Sequence, residues 1–187
     1  MALTPTTNIP LGFKAPHFSL HNVVTNQLVS FADVAGPKGT LVMFICNHCP
    51  FVIHVQEQLV QLANDYMTKG IGFVAISSND VVNYPQDGPE EMKKLALTLK
   101  FPFPYCYDKT QEVAKQYDAA CTPDFSLFDA QNTCVYRGEL DDSRPGNNLP
   151  VTGNSMRKVL DTLIKGETID KDQKPSVGCN IKWKTNA

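Results

Sequence analysis

The residues best equipped for chemistry are two cysteines in Cys46-Asn47-His48-Cys49-Pro50, out of six in the chain. A thiolate is a strong nucleophile, and two cysteines separated by two residues can bring their sulfurs together around one helical turn. The reading is a reactive dithiol in which Cys46 attacks and Cys49 resolves; two half-buried structural thiols are the bland alternative. A helix N-terminus presents unpaired N–H groups and the positive end of the helix dipole, which favour thiolate over thiol. His48 is placed to add to this, since a nearby imidazolium also favours the anion. Cys46, His48, Cys49 and His54 also form a set of soft ligands that suits copper or zinc. No histidine follows His54, so a distal ligand would have to be another cysteine.

The neighbouring segments supply that helix start. Leu41-Val42-Met43-Phe44-Ile45 is a continuous apolar run of strand length, as expected for a strand buried on both faces. After Pro50 the apolar positions change period: Val52, Val55, Leu59, Leu62 and Tyr66 form one stripe of an amphipathic helix. Pro50 fits the first turn, where its missing N–H removes no helical bond. Lys69-Gly70 ends the helix, and Ile71-Gly72-Phe73-Val74-Ala75-Ile76 reads as a second buried strand. Strand, helix, strand is a parallel crossover, with the cysteines where the first strand becomes the helix.

Elsewhere, Phe18-Ser19-Leu20 and Leu28-Val29-Ser30-Phe31 around Thr25-Asn26 suggest a hairpin, leaving His17 and His21 as isolated surface residues. Ser77-Ser78-Asn79-Asp80 and the breaker-rich stretch from Asn83 to Pro89 form a polar loop at the C-terminal end of a strand. Turn chemistry explains Asn79 and Asp80, with a role beside the cysteines as the sharper reading. Pro89 opens a helix to about Lys100, and Phe101-Pro102-Phe103-Pro104-Tyr105 reads as an edge or irregular strand. Thr110 is the expected N-cap of a short helix through Tyr117. Cys121-Thr122-Pro123-Asp124 leads into a strand at Phe125, and a hairpin returns through Thr133 to Arg137. A terminal helix spans about Thr152 to Lys165, and the tail around Val177 to Trp183 is apolar enough to pack back on the domain. Cys106 and Cys134 read as core thiols. Cys121, two residues before Pro123, and Cys179 in the tail are additional redox candidates.

Length and composition predict a single domain over residues 1–187, with residues 166–187 as its packed tail. The net charge of −2 argues against nucleic acid or an anionic membrane as the main partner. Met1 to Thr7 lacks the basic and apolar regions of a secretory leader, and no apolar run approaches membrane-spanning length. The expectation is a cytoplasmic protein, where a cysteine pair is more often catalytic or metal-binding than a staple.

Four stretches carry a family resemblance: Cys46-Asn47-His48-Cys49-Pro50, Cys121-Thr122-Pro123-Asp124, Asp141-Asp142-Ser143-Arg144-Pro145-Gly146 and Gly178-Cys179-Asn180-Ile181-Lys182-Trp183-Lys184. Together they resemble AhpC/TSA, peroxiredoxin-like and TlpA-like proteins of the thioredoxin fold, over nearly the whole chain. The resemblance implies an α/β fold with a central mixed sheet flanked by helices, an N-terminal hairpin and a C-terminal tail. It implies Cys46 as nucleophile, Cys49 as resolving thiol, and Thr122-Pro123 as a cis-proline site presenting backbone to the substrate. Thioredoxins carry a buried acid on the strand before the pair, whereas Gly39 to Met43 has none. Peroxiredoxins have threonine where Cys46 stands, the peroxidatic cysteine where Cys49 stands, and an arginine near the proline site.

The leading expectation is thiol–disulfide exchange with a disulfide-containing protein or small molecule, recycled by a thiol reductant and needing no cofactor or metal. A second is thiol peroxidase activity, with Cys49 oxidised to sulfenate and resolved by Cys46, Cys121 or Cys179. A third is a copper- or metal-binding module.

Overall fold

The computed structural model describes residues 3–185; Met1 and Ala2 of the stretch read for a leader, and the last two residues of the tail, lie outside them. Strand β1 is Leu3–Pro5, and β2 (Ser19–Asn22) pairs antiparallel with β3 (Leu28–Ser30) as the expected hairpin. Ser30 caps the short helix α1 (Phe31–Val34), and β4 (Gly39–Phe44) follows. Helix α2 (Pro50–Met67) crosses to β5 (Ile71–Ser77), parallel to β4. Gly70, at φ +91°, makes the turn between them.

A 3-10 turn (Pro85–Asp87) and α3 (Pro89–Thr98) lead to β6 (Tyr105–Tyr107) and α4 (Glu112–Gln116). Next come β7 (Cys121–Thr122), β8 (Asp124–Asp129), β9 (Cys134–Tyr136), α5 (Asn154–Ile164) and β10 (Val177–Asn180).

Among the described residues the main sheet runs β3-β2-β6-β5-β4-β8-β9, and a small sheet runs β1-β10-β7. The main sheet is mixed: β4, β5 and β6 are parallel, while β2, β8 and β9 join antiparallel. Alternation along β4 serves both faces. Leu41 and Met43 pack with Leu59 and Leu62 of α2 and Met156 and Leu160 of α5. Val42 and Phe44 pack with Phe31, Val113 and Tyr117 on the other face. Full burial of each such side chain stabilises by about 1.5–3 kcal/mol, which explains why a central strand reads as an unbroken apolar run.

Three details depart from the sequence reading. Tyr105–Tyr107 is an interior strand, because the N-terminal hairpin adds β2 to the edge it would otherwise form. The cap residue of α4 is Gln111, in the left-handed region at φ 66°, one residue beyond Thr110. The tail packs as a strand, and it does so by pairing with β1, which alternation alone did not reveal.

Candidate active site

Helix α2 begins beyond both cysteines, with its cap three residues after Cys46. Its N-cap is Cys49, with Pro50 in the first turn, and Cys46 lies in the turn between β4 and the helix. Both sulfurs are sealed: Cys46 is 1% and Cys49 0% exposed. Facing them is the cis Thr122–Pro123 peptide. In its thiol form Cys49 donates to the Thr122 carbonyl at 3.2 Å, a bond that ionisation gives up, and Cys46 Sγ lies 3.3 Å from the Thr122 hydroxyl. The order of strands explains this convergence, since β8, which Pro123 leads into, lies directly beside β4.

The two sulfurs share one buried site beside Thr122, so ionisation of one opposes ionisation of the other. The neighbouring Cys46 thiol holds Cys49 down at about 4, with smaller help from Cys179, the Thr122 hydroxyl and the Val52 amide, and against burial. Cys46 is pushed up by the neighbouring Cys49, then by burial and by the Asp87 carboxylate. The asymmetry has a geometric basis: Cys49 receives donors at the helix start, whereas Cys46 faces a buried anion.

That anion is the residue missing from the sequence reading. Asp87 is fully buried at the end of the 3-10 turn and gathers the cysteine loop. Its Oδ1 accepts from the Asn47 N–H at 2.8 Å and the His48 N–H at 3.2 Å. Its Oδ2 pairs with His48 Nδ1 at 2.6 Å and accepts from Asn79 Nδ2 at 2.8 Å. Tyr84 stacks on the His48 ring, with centroids 5.5 Å apart and planes 9° from parallel. His48 is held by Asp87 and Tyr84 with a ring nitrogen within 4.8 Å of Cys46 Sγ. The only hint of Asp87 in the sequence was its place in a polar loop leaving a parallel strand.

Asn79 takes the sharper of its two readings: besides Asp87, it accepts the Lys182 N–H at 2.8 Å. Asp80 organises its own turn, accepting from Val82 N and Asn83 Nδ2.

Cys46 Sγ, a His48 ring nitrogen and an Asp87 oxygen lie within 4.8 Å of one another, which gives a three-donor set among the described residues. Asp87 enters that set, and Cys49 and His54 of the expected ligands are not in it. His54 sits further along α2, where its Nε2 is 2.7 Å from Ser143 Oγ. Both Asp87 oxygens are already met by N–H donors, so the cluster is built to hold a loop.

The remaining cysteines separate cleanly. Cys179 lies opposite Thr122 in the β7–β10 pairing, buried in one cluster with Cys46 and Cys49; burial first, then the neighbouring Cys49, push it up to about 12. Cys121 precedes Thr122 on β7, so its side chain points to the opposite face, toward the Pro123 carbonyl and Asp124. Burial pushes its thiol up. Cys106 and Cys134 are core thiols that burial pushes up to about 12.

A mixed sheet with a cysteine pair at a helix start and a cis-proline opposite defines a thioredoxin-like α/β protein. The chain belongs to the AhpC/TSA family, whose model matches residues 11–137. Among solved structures it is similar to an uncharacterized conserved protein from Geobacillus kaustophilus, at 59% identity and TM-score 0.97, covering 100% of this chain and 99% of that one. It is also similar to a hypothetical protein from Sinorhizobium meliloti, at 41% identity and TM-score 0.95, covering 98% and 100%. The thioredoxin domain of a thiol-disulfide oxidoreductase from Bacteroides vulgatus shares the fold at 21% identity and TM-score 0.61, covering 82% and 99%. Among curated proteins no match was found. No helix among the described residues is long and apolar enough to cross a membrane.

Proposed function

We propose that this protein is a thiol–disulfide oxidoreductase whose working group is the Cys46–Cys49 dithiol. One observation carries the reading: both buried sulfurs meet Thr122 of the cis Thr122–Pro123 peptide, Cys46 Sγ 3.3 Å from its hydroxyl and Cys49 Sγ 3.2 Å from its carbonyl oxygen, with Cys49 on the helix cap. We assign the attack to Cys49, reversing the order that the motif suggests, because Cys49 caps helix α2, where the helix start favours a thiolate, whereas Cys46 lies within 4.8 Å of the buried Asp87 carboxylate. Cys49 attacks a substrate disulfide, forms a mixed disulfide and expels one substrate thiol. Cys46 then attacks Cys49, gives up its proton and releases the second thiol, leaving a Cys46–Cys49 disulfide. Thr122 orients both sulfurs, and Pro123 fixes the peptide that presents its carbonyl.

Substrates are disulfide-bearing proteins or small molecules, and a thiol reductant in the cytosol restores the pair. Because both sulfurs are buried, exchange is gated by opening of the residues around them. The test is equilibration with glutathione buffers, followed by alkylation and peptide mapping. The reading requires a reversible Cys46–Cys49 disulfide that is lost in both Cys46→Ser and Cys49→Ser. A pair that stays alkylatable under oxidising buffers would refute it.

A thiol peroxidase is the second reading, favoured by the depressed Cys49 thiol. Peroxide cleavage gains from a cation beside the sulfur, and the three arginines of the chain are engaged elsewhere. Arg137 donates to the Tyr117 and Asp118 carbonyls and Ser126, Arg144 binds Glu139 and nearby carbonyls, and Arg157 pairs with Asp65. Disulfide exchange needs no such cation. Rapid sulfenate trapping at Cys49 with one equivalent of peroxide would reverse the ranking.

A further inference from the structure

The C-terminal strand brings a third sulfur to the site. Strand β10 adds to β7 with Cys179 opposite Thr122 and Asn180 opposite Cys121. It is pinned on both sides of this contact: Ser176 Oγ donates to the Pro123 carbonyl at 2.7 Å, and the Lys182 N–H donates to Asn79 at 2.8 Å. Between these anchors the approach is close enough to require glycine. A Cβ on Gly178 would lie 2.0 Å from the Thr122 carbonyl oxygen. The strand therefore lies against the peptide that faces the cysteine pair, and Cys179, paired opposite Thr122, is buried in the same cluster as Cys46 and Cys49.

We propose that Cys179 is a second resolving cysteine, an alternative to Cys46 for the mixed disulfide on Cys49. Resting on the dithiol reading above, the step is a single exchange. The Cys179 sulfur attacks Cys49, a Cys49–Cys179 bond forms, the bond from Cys49 to the substrate sulfur breaks, and the substrate leaves as a thiol carrying the proton that Cys179 gives up. No outside oxidant is needed beyond the substrate disulfide, and the same reductant restores either internal disulfide. The oxidised protein then has two forms, one closed within the cysteine loop and one locking the tail to the helix start.

The test uses reduced full-length protein with oxidised glutathione, acid quenching, alkylation and peptide mapping. In Cys46→Ser the glutathione adduct on Cys49 should collapse to a Cys49–Cys179 disulfide. In Cys46→Ser/Cys179→Ser it should persist at least about tenfold longer. Equal adduct lifetimes in the two variants, with Cys179 fully alkylated, would overturn the proposal. A complete lack of reaction at Cys49 in the unmutated protein would instead overturn the dithiol reading and the proposal with it. Mapping the oxidised unmutated protein is an independent measurement: a Cys49–Cys179 peptide must be present, must vanish in Cys179→Ser, and must fall in Gly178→Ala while Cys46–Cys49 persists. Its absence from the unmutated protein would overturn the proposal as well.

Discussion

The assignment of the thiolate to Cys49 has a consequence that can be measured without any substrate. With Cys49 held at about 4, its thiolate outnumbers its thiol roughly a thousandfold at pH 7, against about 3% ionisation for an ordinary thiol near 8.5. Cys46 adds nothing to this ratio at pH 7, because it is protonated with or without its upward shift. The reduced pair is thus favoured, and this makes the disulfide more oxidising than an unperturbed pair. The pH dependence is the sharper readout. Reduction takes up one proton per two electrons when one thiol stays ionised, so the potential should fall by about 30 mV per pH unit between pH 5 and 8, where two ordinary thiols would give about 59. Glutathione equilibration across that range measures the slope directly. A slope of about 59 throughout, or a thiolate absorbance midpoint near 8.5, would refute the reasoning.

The same ionisation is linked to stability. A depressed Cys49 contributes stability that is fully present above about 8.5 and is lost as pH falls toward about 4. A raised Cys46 contributes below the ordinary thiol range and loses that contribution above it. Reduced protein should therefore be most stable near pH 8, with urea midpoints falling more steeply on either side than those of the oxidised form. Asp87→Ala should cost about 3 kcal/mol or more, because it strands buried N–H donors of the cysteine loop and Asn79; an unchanged urea midpoint would mean that another group holds the loop. Thr122→Val keeps the shape and removes the hydroxyl beside Cys46, so the Cys49 thiolate midpoint should rise, as read by thiolate absorbance against pH. Leu59→Ala, in the fully buried stripe of α2, should cost about 2–5 kcal/mol with the thiol chemistry retained; a loss below about 1 kcal/mol would show that the helix face is loosely packed.

How much was legible in advance depended on how local each signal was. The apolar run before Cys46, the change to helical period after Pro50 and the hairpin around Thr25 are patterns of neighbouring residues, and each became the expected element. Tyr105 was misread because an edge is a property of the whole sheet: two prolines argued for a border, and a hairpin some eighty residues earlier supplied the neighbour. Thr110 was displaced as a cap because Gln111 is held from outside its helix, donating to the Ser78 and Lys182 carbonyls.

The sequence by itself determined the cysteine pair and its place between a buried strand and a helix, since spacing and period encode both, while the cis-proline stretch came with the family resemblance. Which sulfur is the better anion is a matter for the tertiary structure, because it depends on donors and charges that reach the pair through space. The tertiary structure alone brought Asp87 beneath the loop as the buried acid absent from β4. It also sent Cys121 and Cys179 to different fates. The two are alike as residues, but Cys121 points away from the pair by the alternation of β7, while a strand from the far end of the chain, fitted closely by Gly178, delivers Cys179 to Cys49.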